Sequence, residues 1–498
     1  MNYHHHNKAA LAAGMLASVA LAGTATAQTT DPLLNALIKK GVLTEKEAKE
    51  VQTEVKDASE SPSAPKYLLV NSALKNVELF GDVRLRYEYR TAQTASTLSN
   101  GDSLARDRFR YALRFGIRGE AFDDFYYGIR LETSANPRST WVTFGGEKIS
   151  ATTAVATSAA SAGPSGKNDD TIGVGLAYAG WRPTDWLDVT LGKMMNPLYT
   201  TSMTWDPDIT PEGAAEHFKF KRGDLELFAN FGQFVYQDLD YDNPIGAGNN
   251  QSDTFLLAWQ LGAKYDFSKD VSAKIGPALY NYTSHGQNSG FNAAFVGQGS
   301  TGGLNYTGAS NPNFAANQTG INDLLILDIP AQIDFKVGKF NARVFGDFAI
   351  NLDGGARARA ALLHENDTAG IQPITGGAQT GQTKAYMGGF AIGNVDLVNG
   401  AHPKKNSWEF RSYWQHIEQY SLDVNLTDSD FMEGRGNLEG VFAAVAYCPA
   451  NNVITTVRYG YADRIDKNLG TGGSNLDLPT INPATKYQLL QLDLAFKF

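Results

Sequence analysis

From Asn76 onward the chain alternates between greasy and charged positions. In "VELFGDVRLRYEYR", Val77, Leu79, Val83, Leu85, Tyr87 and Tyr89 fall on one side, and Glu78, Asp82, Arg84, Arg86, Glu88 and Arg90 on the other. "DRFRYALRFGIRGE" repeats the scheme, with Phe109, Tyr111, Leu113, Phe115 and Ile117 set against Arg108, Arg110, Arg114 and Arg118. A period of two predicts strands whose faces meet different surroundings. "DTFLLAWQLGAKYDF" and "NDLLILDIPAQIDFKVG" follow the same rule. These strands are long for a soluble sandwich, and their polar face is unusually charged.

The pattern predicts about sixteen strands: 76–90, 107–119, 125–135, 170–181, 186–195, 215–222, 225–236, 253–267, 271–283, 322–337, 340–350, 384–395, 406–418, 437–447, 453–463 and 486–498. Their connections alternate in length. "EAFDDF", "RPTD", "RGD", "SKD", "VGK" and "CPANN" are tight turns, whereas 136–169, 196–214, 284–321 and 351–383 are long excursions. Only 396–405 is longer than a tight turn where a short one is due. Short turns on one side and long loops on the other describe an all-β transmembrane antiparallel barrel. Aromatic residues at many strand ends, among them Phe122, Phe125, Trp181, Trp186, Phe267 and Trp408, suit an interfacial girdle.

The last strand, "KYQLLQLDLAFKF", places Leu490, Leu492, Leu494, Phe496 and Phe498 on one face, right up to the carboxylate. In lipid every backbone donor and acceptor needs a partner, so the sheet must close on itself and its final strand cannot fray.

Ahead of the strands, Lys8, an apolar run over 9–22 and Ala25-Thr26-Ala27 read as an export signal peptide over 1–27. Residues 28–75 read as a periplasmic helical segment and linker, with Thr44 and Glu47 as a capping box. Through residues 31–58 this piece could pack on itself, seed a trimer or touch the cell wall. The barrel then occupies 76–498. Beyond the export peptide no stretch has the roughly 18 apolar residues of a membrane helix.

Composition narrows the function. A formal net charge of −9 argues against a nucleic-acid partner. The single Cys448 cannot form an internal disulfide. His4, His5 and His6 fall inside the export peptide, and the other histidines lack zinc spacing. Gly297-Gln298-Gly299-Ser300-Thr301-Gly302 has dinucleotide-loop spacing without its strand–helix context. "DPDITPEGAAE" faintly suggests calcium ligands but lacks the pattern of a calcium hand. No cofactor, metal site or nucleophile elbow is expected.

The export peptide, "LLNALIKKGVLTEKEAKEV", "LFGDVRLRYEYR…RDRFRYALRFGIRG" and above all "LGKMMNPLYTTSMTWDPDITPEGAAEHF" together resemble the bacterial outer-membrane porins that carry a helical N-terminal extension. The resemblance implies an outer-membrane location, a water-filled barrel, often a homotrimer, passing small hydrophilic solutes by diffusion. It also implies that the terminal strand with Phe496 and Phe498 is the signal read by the barrel-assembly machinery. In porins the third long loop, here about 196–214, narrows the lumen.

The inward faces of the first three strands carry Arg84, Arg86, Arg90, Arg108, Arg110, Arg114, Arg118 and Arg130. The third loop carries Asp206, Asp208, Glu212 and Glu216. The expectation is a basic wall facing acidic residues across a constriction, which selects solutes by charge. The same charges could equally pair to solvate the lumen and brace its wall. A substrate-specific anion or phosphate channel is a second reading, a barrel lipase or protease a third and a plugged active transporter a fourth. The last wants a larger plug than the segment before the first strand provides.

Overall fold

The computed structural model of the protein describes residues 74–94, 103–122, 124–133, 139–144, 171–237, 254–283, 324–359, 377–394, 403–471, 477–478 and 484–498. The export peptide, nearly all of the helical segment expected over 28–75 and the Gly297–Gly302 stretch lie outside them.

The strands are β1 (Leu74–Thr94), β2 (Ser103–Ala121), β3 (Phe125–Thr133), β4 (Val142–Thr143), β5 (Ile172–Thr184), β6 (Leu187–Lys193) and β7 (Glu212–Arg222). Next come β8 (Leu225–Gln237), β9 (Thr254–Ser268), β10 (Val271–Ile275), β11 (Ala278–Tyr282), β12 (Leu325–Asp328) and β13 (Ala331–Val337). The series ends with β14 (Phe340–Asn351), β15 (Lys384–Gly393), β16 (Trp408–Ile417), β17 (Leu438–Ala450), β18 (Val453–Arg464) and β19 (Ala484–Lys497).

All pair antiparallel in one sheet, and β1 pairs with β19, so the sheet closes. β10 and β11 are halves of one stave, as are β12 and β13, because Pro277 and Pro330 lack the N–H that would continue the ladder. The two breaks sit side by side: the Gly276 N–H donates to the Pro330 carbonyl at 3.0 Å. β4 is a two-residue strap lying against Arg110 and Tyr111 of β2. Sixteen staves remain, at nearly the positions the alternation predicts.

Tight turns join them at one end. Gly223, Gly338 and Asn452 adopt the left-handed conformation at three of these turns, where two-residue hairpin loops need it. At the seam, Val83 faces Phe496 and Arg86 faces Asp493. The Gly81 N–H donates to the Phe498 carbonyl at 2.9 Å, and the Phe498 N–H returns to Gly81 at 3.0 Å. A side chain at Gly81 would collide with the Arg114 carbonyl and the Phe498 ring. The last residue is thus part of the ladder.

The two faces are sorted inside out. Leu79, Ile129, Leu191 and Leu261 are 53–62% exposed, while Arg86 and Glu88 are 3% and 1% exposed. So large an apolar surface does not persist in water. Surrounded by acyl chains it is satisfied, and the polar face is left for the interior. Phe122, Phe125 and Trp181 pack on one another at the tight-turn end, as do Trp186 and Phe220. That is the aromatic band expected at a membrane interface.

The interior is not evenly hollow. Met203 and Trp205, from the connection after β6, join Phe431 and Met432, from the connection after β16, in one buried apolar cluster. Phe234, Leu256 and Tyr282 on the wall complete it. Two connections therefore fold inside the barrel.

Candidate functional site

The first inserted connection, 194–211, is closed at its base by the Met194 N–H on the Pro211 carbonyl at 2.9 Å. Asp206 accepts the Asp208 N–H at 2.8 Å, and the Trp205 indole N–H reaches the Ile209 carbonyl at 3.2 Å. These local bonds hold the "DPD" turn rigid. On one side Asp208 pairs with Arg114 of β2. On the other, Thr201 donates to Asp347 of β14, and the Tyr199 hydroxyl donates to Gln332 of β13 at 2.9 Å. β2 and β14 lie on opposite sides of the ring, so the loop crosses the lumen.

The second inserted connection, 418–437, enters between β16 and β17. Asp423 accepts the hydroxyls of Tyr236 at 2.6 Å and Tyr282 at 2.9 Å. Asn351 donates to the Tyr420 carbonyl at 2.9 Å. This segment clasps the first: Asp206 N–H to Leu426 carbonyl at 2.5 Å, Asp428 N–H to Ser202 carbonyl at 3.1 Å, and Ser429 N–H to the Asp206 carboxylate at 3.2 Å.

Against these loops stand the arginines of β1 to β3. Arg86 holds Asp430 at 2.7 Å and Asp493 of β19 at 2.8 Å, with its guanidinium 4.0 Å over the Trp141 ring. Glu88 gathers Arg90 at 3.0 Å and Arg108 at 2.6 Å, with Arg110 at 3.7 Å. Asp477 adds contacts to Arg90 at 3.2 Å and Arg108 at 2.6 Å. Arg130 pairs with Glu132 at 2.8 Å, Arg84 with Asp82 at 2.6 Å, and Arg118 with Glu78 at 2.7 Å. Every one of these arginines meets a carboxylate, and Arg86, Arg90, Arg108 and Arg110 are joined in one network through Glu88. The upper ones, Arg86, Arg90, Arg108 and Arg110, are nearly covered, whereas Arg84 keeps 24% of its side chain exposed.

Two expected members stand elsewhere. Glu212 and Glu216 belong to β7, not to the loop: the strand begins at Glu212, ahead of the expected residue 215, and Glu216 lies within the strand already expected over 215–222. Glu212 pairs with Lys193 at 2.5 Å, and Glu216 accepts from Gln233 at 3.0 Å. Glu216 faces Val189 and Phe231 across the sheet, on the side opposite buried Ala215. Phe498 and Phe496 lie at the seam described above.

The loop carboxylates divide by charge state. Burial opposes ionisation of Asp208 and Asp430, but Arg114 and Arg86 respectively outweigh it and hold both below the usual carboxylate range. Burial and then the Asp430 charge push Asp428 up to about 7. Burial and then Asp428 push Asp206 up as well. Asp477, also buried, is held low chiefly by Arg108 and Arg90.

The sequence reading missed Asp430, Asp477 and Asp493 as counter-charges to the arginines. A signal for Asp430 exists: "DSD" at 428–430 repeats the spacing of "DPD" at 206–208, and both turns bond their first carboxylate to the N–H two residues on.

A closed sixteen-stave barrel with an apolar exterior, a charged interior and inserted loops is a transmembrane barrel of the porin type. A family model described as putative porin matches residues 91–319 and 321–498, and the chain belongs to that family. It is an outer-membrane porin. No curated protein matches it. Among solved structures, an outer membrane protein of Vibrio cholerae, OmpT, is similar at 11% identity and a TM-score of 0.41, covering 87% of this chain and 100% of that one. A triple mutant of Rhodopseudomonas blastica porin is similar at 10% identity and a TM-score of 0.36, covering 85% of this chain and 100% of that one.

Proposed function

We propose that this porin passes small hydrophilic solutes or ions by passive diffusion, with their charge read at a constriction where Asp208 meets Arg114. The observation that carries the proposal is that loop 194–211 spans from Arg114 on β2 to Asp347 on β14, placing fixed charge of both signs across the lumen. Fixed charges lining a narrow aqueous path select solutes and orient dipoles. The inward charges are guanidinium–carboxylate pairs, which hold fixed charge beside the lumen and support the channel reading. The chain assembles as a homotrimer in outer-membrane lipid, after removal of its export peptide and recognition of the strand ending at Phe498 by the barrel-assembly machinery.

Conductance of the purified protein in a planar bilayer, with the reversal potential taken in a salt gradient, tests this. Large, ohmic, unsaturated currents are expected; currents blocked by one anion would instead mark a substrate-specific channel. The double change Arg110→Ala and Arg114→Ala is expected to shift selectivity toward cations. Unchanged selectivity would remove these arginines from the mechanism.

A further inference from the structure

We infer that the segment 418–437 is a second selectivity element of the pore, with Asp430 as its specificity-determining residue and Asp423 as a positioning residue. This rests on the porin reading above and extends it to a part of the chain that reading does not use.

The segment is tied down at both ends and in the middle. Near its start Tyr236 and Tyr282, from two different staves, donate to the one Asp423 carboxylate at 2.6 and 2.9 Å. Asn425 donates to the Tyr236 oxygen at 2.8 Å and to Asp423 at 2.9 Å. Near its end the fully buried pair Glu433–Arg435, at 2.9 Å, anchors it, and Arg435 also donates to the carbonyls of Thr471 and Leu478 at 3.1 and 2.8 Å. Between these anchors, its backbone is bonded to Ser202 and Asp206 of the first loop. Buried charge and buried hydroxyl groups are tolerated only when partnered, so anchors of this kind define one position for the turn between them.

That position presents Asp430. Its carboxylate touches Arg86 and retains 35% side-chain exposure, more than the 19% of Asp208. Both therefore keep contact with the water-filled interior, one from each loop. Neighbouring cations with exposure of their own are Arg84 at 24% and Arg458 at 26%. Arg86, Arg90, Arg108 and Arg110 keep only 2–8% side-chain exposure. The charges a passing ion meets are thus Asp208 and Asp430 against Arg84 and Arg458, with Arg114 at 11% paired to Asp208, and half of the acidic side comes from the second segment. An exposed carboxylate beside the path attracts cations and repels anions.

The test is the cation-to-anion permeability ratio from reversal potentials in a potassium chloride gradient. Asp430→Asn leaves Arg86 paired with Asp493, so the barrel retains a counter-charge there. The ratio is expected to fall about twofold, as for Asp208→Asn, and to return in Asp430→Glu. A second variant, Tyr236→Phe with Tyr282→Phe, removes the hydroxyls on Asp423 and keeps every pore charge. It is expected to add open-channel noise and substates without moving the ratio. A ratio unchanged in Asp430→Asn while Asp208→Asn lowers it would overturn the role of Asp430. Quiet currents in the tyrosine variant would overturn the positioning role of Asp423. Absence of any current in the parent protein would instead sink the porin reading itself.

Discussion

At the residue scale, Asp428 carries the clearest pH signature. Its carboxyl is pushed from near 3.8 to about 7 by burial and by Asp430. Between those values the folded chain keeps a proton that the unfolded chain has lost, so stability falls as pH rises from about 4 to about 7. Asp206 is raised too and adds to the same slope. Asp208 and Asp430, held low by arginines, act only below about 4, where stability rises with pH. Guanidinium midpoints measured in detergent from pH 4 to 8 are expected to decline, and Asp428→Asn is expected to flatten the decline. An equally steep fall in that variant would place the titration elsewhere. None of this was visible in the sequence. "DSD" reads as a surface turn until the chain places it beside "DPD", and only that meeting of like charges makes Asp428 unusual.

At the element scale, the staves were legible in the residue pattern, the first inserted loop only through the family resemblance, and the second not at all. Half of each stave touches lipid, so the alternation in "VRLRYEYR" or "LLQLDLAFKF" is enforced residue by residue and survives in the sequence. The loops are held by bonds that span hundreds of residues, such as Ser429 to Asp206, and leave no local period. β7 shows the boundary case. Gly213 and Ala214 pair with both β6 and β8, and Glu212 with β6, so a stretch that reads as an acidic loop is strand. The closing stave gives a direct test. Gly81→Val would collide with the Arg114 carbonyl and the Phe498 ring, and removal of Phe498 would take away the bonds to Gly81. Both changes are expected to reduce the fraction that migrates as a compact, heat-modifiable species in gel electrophoresis, with Gly81→Val the more severe. Normal yield from Gly81→Val would mean that the seam closes differently.

At the scale of the whole molecule, stability comes from two separate sources. Outside, staves such as β19 present Leu492 at 44% exposure to acyl chains. Leu492→Lys is expected to cost about 2–4 kcal/mol in denaturant titrations in lipid, the range for a cation near the bilayer midplane. A cost near zero would mean that this face meets water. Inside, the barrel holds an apolar cluster and a salt-bridged network that a soluble protein would recognise as its own core.

The clasp between the two inserted loops also orders events in time. Its halves lie 223 residues apart, and the later one leads into the last three staves. The contact between Asp206 and Ser429 must therefore wait until nearly the entire polypeptide has arrived. The clasp is thus a joint that only a nearly finished chain can make.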